Sequence, residues 1–128
     1  ALFYGDLDGL KKVNDTWGHD VGDMAIRSTA ELFEKEFRAE DITARIGGDE
    51  FIALAPKCGE EEARTLADRL EQALYKKANK RFGISLGWVI IHPGEKNSLE
   101  TWMKLADQAL YKAKRAKKKQ KGLYIYKK

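Results

Sequence analysis

The chain has 128 residues, 43% of them hydrophobic and 34% charged. That is enough apolar material for one buried core, and no apolar run reaches the roughly 20 residues of a membrane helix. One cysteine, Cys58, excludes an intramolecular disulfide framework and a four-thiolate zinc site. The net charge of +4 is unevenly placed: positions 112–128 hold nine of the 24 basic residues and no acidic one, leaving 15 against 20, or −5, elsewhere. The basic end reads as a solvated helix end, where lysines suit the dipole. Contact with nucleic acid, lipid headgroups or phosphates is the alternative.

Ala1–Tyr4 is a short apolar run and reads as a buried strand, followed by a turn-rich acidic stretch, Gly5-Asp6-Leu7-Asp8-Gly9. Asp20–Phe37 carries Val21, Met24, Ala25, Ser28, Leu32 and Phe33 at helical spacing. Ile42–Ile46 and Phe51–Leu54 are strand candidates around a Gly47-Gly48-Asp49-Glu50 turn, a hairpin signal. Pro56–Gly59 is a loop. Glu60–Lys77 predicts a helix with three glutamates in its first turn and a stripe through Ala63, Leu66, Ala67, Leu70, Ala73 and Leu74. Phe82–Ile91 is a β-prone run ended by Pro93-Gly94. Ser98, with Thr101 as the second choice, caps a last helix whose stripe is Trp102, Leu105, Ala106, Ala109, Leu110 and Ala113. Leu123–Tyr126 is a candidate final strand.

Strand–helix–strand–strand–helix–strand is the order of the ferredoxin-like arrangement, an α+β fold with an antiparallel-rich sheet flanked by helices. In it the first strand lies antiparallel beside the second hairpin strand. The end of the first strand and the hairpin turn then share an edge, so Asp6 and Asp8 should meet Asp49 and Glu50. Carboxylates gathered there repel one another, and burying them unpaired is costly. A divalent cation with oxygen ligands resolves the conflict, and magnesium commonly shares such ligands with substrate phosphates. Two solvated acidic turns are the plainer alternative. His19 and His92, with no matching cysteines, make no zinc set.

Arg45-Ile46-Gly47-Gly48-Asp49-Glu50-Phe51 resembles the signature of the GGDEF family, the diguanylate cyclases. Three further blocks resemble the family in the right order: Asp6–Asp15, Gly18–Asp23 and Ala106–Lys114. The resemblance implies a palm-type fold like that of nucleotidyl cyclases, with residues 1–128 as one catalytic domain lacking the family's preceding helix. It implies that two GTP give cyclic di-GMP and two pyrophosphates across a homodimer, each 3′-hydroxyl attacking the other nucleotide's α-phosphate. An upstream sensory or dimerising module and a cytoplasmic catalytic domain are expected with it. Mg2+, or Mn2+ in its place, is the expected cofactor at two ions per site.

By resemblance, Asp6, the Leu7 carbonyl and Asp49 ligate metal. Asp49 is the candidate general base, and Glu50 shares its work. Gly47 and Gly48 let backbone approach the nucleotide. The main chain at Gly9, Leu10 and Lys11 holds the β- and γ-phosphates, and Lys114 reaches the terminal phosphates. Asn14 and Asp23 bond the guanine edge; a carboxylate, which only accepts, suits the N–H donors of guanine and not adenine. Asn14 as a turn cap stays open, and His19 is either a positioning or a helix-start residue. Arg38-Ala39-Glu40-Asp41 resembles the family's product-inhibition site, with Arg69 as a candidate third member; a surface ion pair is the alternative.

The chain departs from the family pattern in three places. It begins at the first strand, it has Gly9-Leu10 where aromatic residues are frequent, and it has Lys117-Lys118 where Gly-Arg is common. Lysine lacks the bidentate fork of arginine, so the Lys118 grip on phosphate should be weaker. A silent GGDEF module that receives GTP or cyclic di-GMP is the competing function. A basic-tailed nucleic-acid binder is a third, supported by the Lys114–Lys121 run, but that run holds no aromatic residue for bases to stack on, and nucleic acid is not an expected partner.

Overall fold

A computed structural model describes the backbone of residues 1–126 and the side chains of residues 1–117. The elements are β1 (Leu2–Leu7), α1 (Leu10–Trp17), α2 (His19–Glu36), β2 (Ile42–Arg45), β3 (Glu50–Leu54), α3 (Glu60–Lys77), β4 (Ile84–Val89) and α4 (Leu99–Tyr126). The sheet order is β2-β3-β1-β4, and every neighbouring pair is antiparallel. This is the expected α+β arrangement, with β1 beside β3.

Alternation along β1 assigns the two faces of the sheet. Phe3 and Leu7 point into the larger core with Phe51, Ala53, Ile84 and Leu86, where α2 and α3 bring Phe33, Leu66, Leu70 and Leu74. Phe3, Phe33, Phe37 and Phe51 stack at ring separations of 5.3–5.5 Å. Leu2 and Tyr4 face the other way, where α4 lays Trp102 and Ala106 on them. Helices therefore cover both faces of the sheet.

Four expectations about elements need correction. β1 runs to Leu7 rather than ending at Tyr4, because Gly5 and Asp6 are paired on both sides, to Phe51 and Glu50 and to Leu86 and Ser85. β4 is shorter than Phe82–Ile91, because six residues of β1 are all it has to pair with. α1 was not foreseen: it is short, it has no side-chain cap, and it buries Val13 alone. The Leu123–Tyr126 strand does not form; that stretch is the end of α4. Ala113–Lys121 is rich in helix formers with no breaker, and Gly122 alone costs about 1 kcal/mol. The Ser98 cap holds, its Oγ accepting the Thr101 N–H at 3.2 Å.

Candidate functional site

β1 delivers Tyr4 and Asp6 to the α4 face, and the register puts Glu50 of β3 and Ser85 of β4 on either side of Asp6. The Leu7 N–H donates to the Asp49 carbonyl at 3.0 Å, tying the end of β1 to the turn between β2 and β3. That turn is closed by the Ile46 N–H on the Glu50 carbonyl at 2.9 Å. Arg45 braces it: Nε donates to the Gly47 carbonyl at 3.0 Å and Nη2 to the Gly48 carbonyl at 2.9 Å. Neither glycine needs a positive φ. A Cβ at Gly47 would lie 3.2 Å from Glu50 Oε1, so the missing side chain leaves room for that carboxylate, while Gly48 faces open space. Tyr4 donates its hydroxyl to Glu50 Oε2, and this bond, ahead of burial, raises the phenol's pKa.

Asp6 is the electrostatic centre. Its carboxyl is raised to about 6 on balance: burial pushes it up most, the Lys114 ammonium, 2.5 Å from Oδ2, pulls it down, and the Asp49 carboxyl pushes it up. Asp6 Oδ1 is buried and has no hydrogen-bond donor among the described residues. Two ionised carboxylates offer each other no proton, so the pair of Asp6 and Asp49 is satisfied only by a proton or a cation between them. An oxygen-only donor set beside an orphaned buried oxygen fits Mg2+, with the Leu7 carbonyl on the same strand end. No group of three or more His, Cys, Asp or Glu side chains converges among the described residues. Two carboxylates and a carbonyl would suit an ion whose remaining ligands are phosphates and water. Asp8 turns away from Asp49 and Glu50: Ser85 Oγ donates to its Oδ1 at 2.6 Å, and Lys117 lies 2.8 Å from its Oδ2.

Gly9 has φ +60° and opens α1 with no side-chain cap. The first amides of α1, including Leu10 and Lys11, therefore lack an intrahelical acceptor. The Asn14 carbonyl accepts the Gly18 N–H at 2.9 Å, so its backbone ends α1. Its side chain lies against the backbone of α2, where a Cβ at Gly22 would be 1.7 Å from Oδ1. Asp23 is the next residue and is exposed; His19 is exposed at the start of α2. Lys114 sits on Asp6 rather than standing free. Lys117, at the position where the family often has glycine, turns inward, and the side chain of Lys118 lies outside the described residues.

Arg38, Asp41 and Arg69 line a separate cleft of ≈ 380 Å³, together with Glu36, Cys58 and Glu62. Asp41 Oδ2 accepts the Arg38 N–H at 2.8 Å, and Arg69 pairs with Glu36 at 2.8 Å. Arg38 also makes a long, exposed ion pair with Glu40 at 4.0 Å, the surface pair that the sequence left as the alternative; such a pair contributes little and leaves the guanidinium open to solvent. Among the described residues the one buried side-chain polar atom without a partner is Asp6 Oδ1, at the β1–β3 edge; the cleft residues are paired with one another or with their neighbours. Tyr4, Arg45 and Ser85 were not among the residues singled out from sequence. Period-two spacing from Asp6 marks Tyr4, and a lone serine within the apolar run Ile84–Val89 marks Ser85.

Among the described residues no helix is long and apolar enough to cross a membrane. The sequence model described as "Diguanylate cyclase, GGDEF domain" matches residues 1–120. A protein of Escherichia coli (strain K12) named "Probable diguanylate cyclase DgcT" is 38% identical over 85% of this chain; the chain spans 26% of that relative's length. Among solved structures, the active GGEEF domain of a diguanylate cyclase from Vibrio cholerae is 30% identical, with a TM-score of 0.78 over 90% of this chain and 76% of that one. The GGDEF domain of DgcB from Caulobacter crescentus, solved in complex with c-di-GMP, is also 30% identical, with a TM-score of 0.79 over 90% of this chain and 71% of that one.

Proposed function

Since the chain belongs to the GGDEF family, we propose that it is a diguanylate cyclase domain that condenses two GTP into cyclic di-GMP and two pyrophosphates. The observation that carries this reading is the Asp6–Asp49 pair at one strand edge, with a buried Asp6 oxygen that no donor among the described residues reaches.

Asp6, Asp49 and the Leu7 carbonyl would hold Mg2+ or Mn2+, two ions per site. Bound there, the metal neutralises phosphate charge and acidifies the attacking hydroxyl. The 3′-oxygen of one nucleotide forms a bond to the α-phosphorus of the other. The α–β phosphoanhydride bond breaks, and pyrophosphate leaves with its electron pair. Asp49 takes the hydroxyl proton, and Tyr4 holds Glu50 beside it through its hydroxyl. The free amides at Gly9, Leu10 and Lys11 cradle the β- and γ-phosphates. Lys114 exchanges Asp6 for phosphate oxygens when the nucleotide arrives, and Lys118 adds charge at that end. Asn14 and Asp23 select guanine over adenine, and His19 helps hold the base-binding helix start. Gly47 and Gly48 let the turn lie against the nucleotide.

The described residues form one such site, so the second nucleotide comes from a second copy, and an upstream module brings the two together. The Arg38–Asp41–Arg69 cleft takes the product: the arginines suit its phosphates and Asp41 a guanine edge. The reaction belongs in the cytoplasm, where GTP is available.

The test is incubation of the purified chain with GTP and Mg2+, with product separated by chromatography. Asp49→Ala, an ATP control and a forced dimer run beside it. Cyclic di-GMP from the parent and not from Asp49→Ala supports the cyclase. GTP binding without product, even in the forced dimer, would replace it with a nucleotide receptor.

A further inference from the structure

Lys117 is half-buried and aimed inward, between the end of β1, the start of β4 and α3. Its Nζ donates to Asp8 Oδ2 at 2.8 Å and to the Ile84 carbonyl at 2.6 Å. Glu71 Oε2 stands 4.0 Å away on the third side. The other oxygen of Asp8 is held by Ser85 Oγ at 2.6 Å, so the whole carboxylate is fixed. The backbone is fixed with it, the Asp8 N–H donating to the Gly83 carbonyl at 2.9 Å.

Asp8 directly precedes Gly9, where α1 begins with uncapped amides and no acidic residue in its first turn. A free carboxylate at that position would do two things. It would fold onto the empty amides as a cap, and it would repel any anion brought to them. Neither happens, because the carboxylate is drawn aside and neutralised by a cation from α4.

We propose that Lys117 is a positioning residue for the polyphosphate of the substrate: by holding Asp8 against Ser85 and Ile84, it keeps a negative charge off the N-terminus of α1 and leaves the Gly9–Lys11 amides to the nucleotide. This rests on the GTP reading above. It assigns Lys117 no contact with substrate. Lys114 and Lys117, one turn apart on α4, then divide the labour: the first neutralises Asp6, the second Asp8.

The experiment measures GTP affinity in Mg2+ by calorimetry, and KM and kcat where product forms, for the parent, Lys117→Met, Asp8→Asn and the double variant. Lys117→Met should weaken GTP binding about tenfold, the loss falling on KM rather than kcat and shrinking at high salt. Adding Asp8→Asn to it should restore affinity to within about threefold of the parent, since the offending charge is gone. Asp8→Asn alone should bind GTP at least as tightly as the parent, which keeps the test decisive if Lys117→Met fails to fold. Unchanged affinity in Lys117→Met, no rescue in the double variant, or weaker binding by Asp8→Asn overturns the inference while the GTP reading stands. A parent that binds no GTP overturns both. A parent that binds GTP without turnover overturns the cyclase alone, and the affinities still decide the role of Lys117.

Discussion

Gly87→Ala tests how tightly the sheet controls the site. Gly87 lies opposite Tyr4 in β4, under α4. A Cβ there would be 2.1 Å from the Leu110 nitrogen, 2.6 Å from the Ala106 carbonyl oxygen and 2.6 Å from Leu110 Cα. All three are main-chain atoms, so no side chain can swing aside. Ordinary contact starts at 3.4 Å, so α4 must withdraw by about 1.3 Å. Overpacking of this kind costs about 1–3 kcal/mol, and backbone contacts place it at the upper end. For a domain of this size a loss of about 3 kcal/mol lowers Tm by roughly 12 °C. The same retreat stretches the Lys114–Asp6 contact from 2.5 Å to about 3.8 Å, beyond hydrogen-bond range. Thermal unfolding by circular dichroism and GTP calorimetry read the two effects. A variant that melts within about 2 °C of the parent and binds GTP as well would refute the close-approach reasoning.

Gly22→Ala should displace the Asn14 amide, which a Cβ would meet at 1.7 Å, and weaken GTP binding by several-fold to about tenfold, the worth of one hydrogen bond. Alanine is the better helix former, so Tm should hold or rise, and a fall in both would point to plain misfolding. Arg69→Ala should relieve product inhibition and weaken cyclic di-GMP binding without slowing initial turnover. Its ion pair with Glu36 is half-exposed and contributes little to stability, so an unchanged product affinity in calorimetry would remove Arg69 from the cleft's function. Glu71 is the pH test. Burial raises its pKa above 4.5 against the pull of Lys117, so the folded state binds its proton more tightly than the unfolded state. That makes stability fall as pH rises through the folded pKa. Glu71→Gln keeps an acceptor for the Leu86 N–H and should melt higher than the parent at pH 8 but not at pH 4; a lower Tm at pH 8 would show that the pairing with Lys117 outweighs burial.

The long helices were legible because their stripes repeat over many turns. α3 runs from Glu60 to Lys77 as its stripe and acidic first turn require, and α2 differs from expectation by one residue at each end. Short elements were harder. α1 has one buried residue and no capping side chain, so nothing periodic announced it. Leu123–Tyr126 alternates like a strand, but local alternation cannot outweigh an uninterrupted helical run before it.

Sequence alone determined which residue types are available and, through the order of elements, that the end of β1 must meet the β2–β3 turn. Asp6 and Asp49 are 43 positions apart in the chain, yet strand order and antiparallel pairing suffice to bring them together. Only the tertiary structure decided which carboxylates remain unsatisfied. Asp6 and Asp8 are two residues apart on a strand end and look alike in sequence. One keeps a buried oxygen without a donor among the described residues; the other is held by Ser85 and Lys117. That difference arises because α4, packed directly on Gly87, carries Lys114 to one oxygen of Asp6 and Lys117 to one oxygen of Asp8, while Ser85 of β4 donates to the second oxygen of Asp8 alone. Charge compensation is set by distances of a few ångströms between groups more than 100 residues apart in sequence, and no local pattern encodes it.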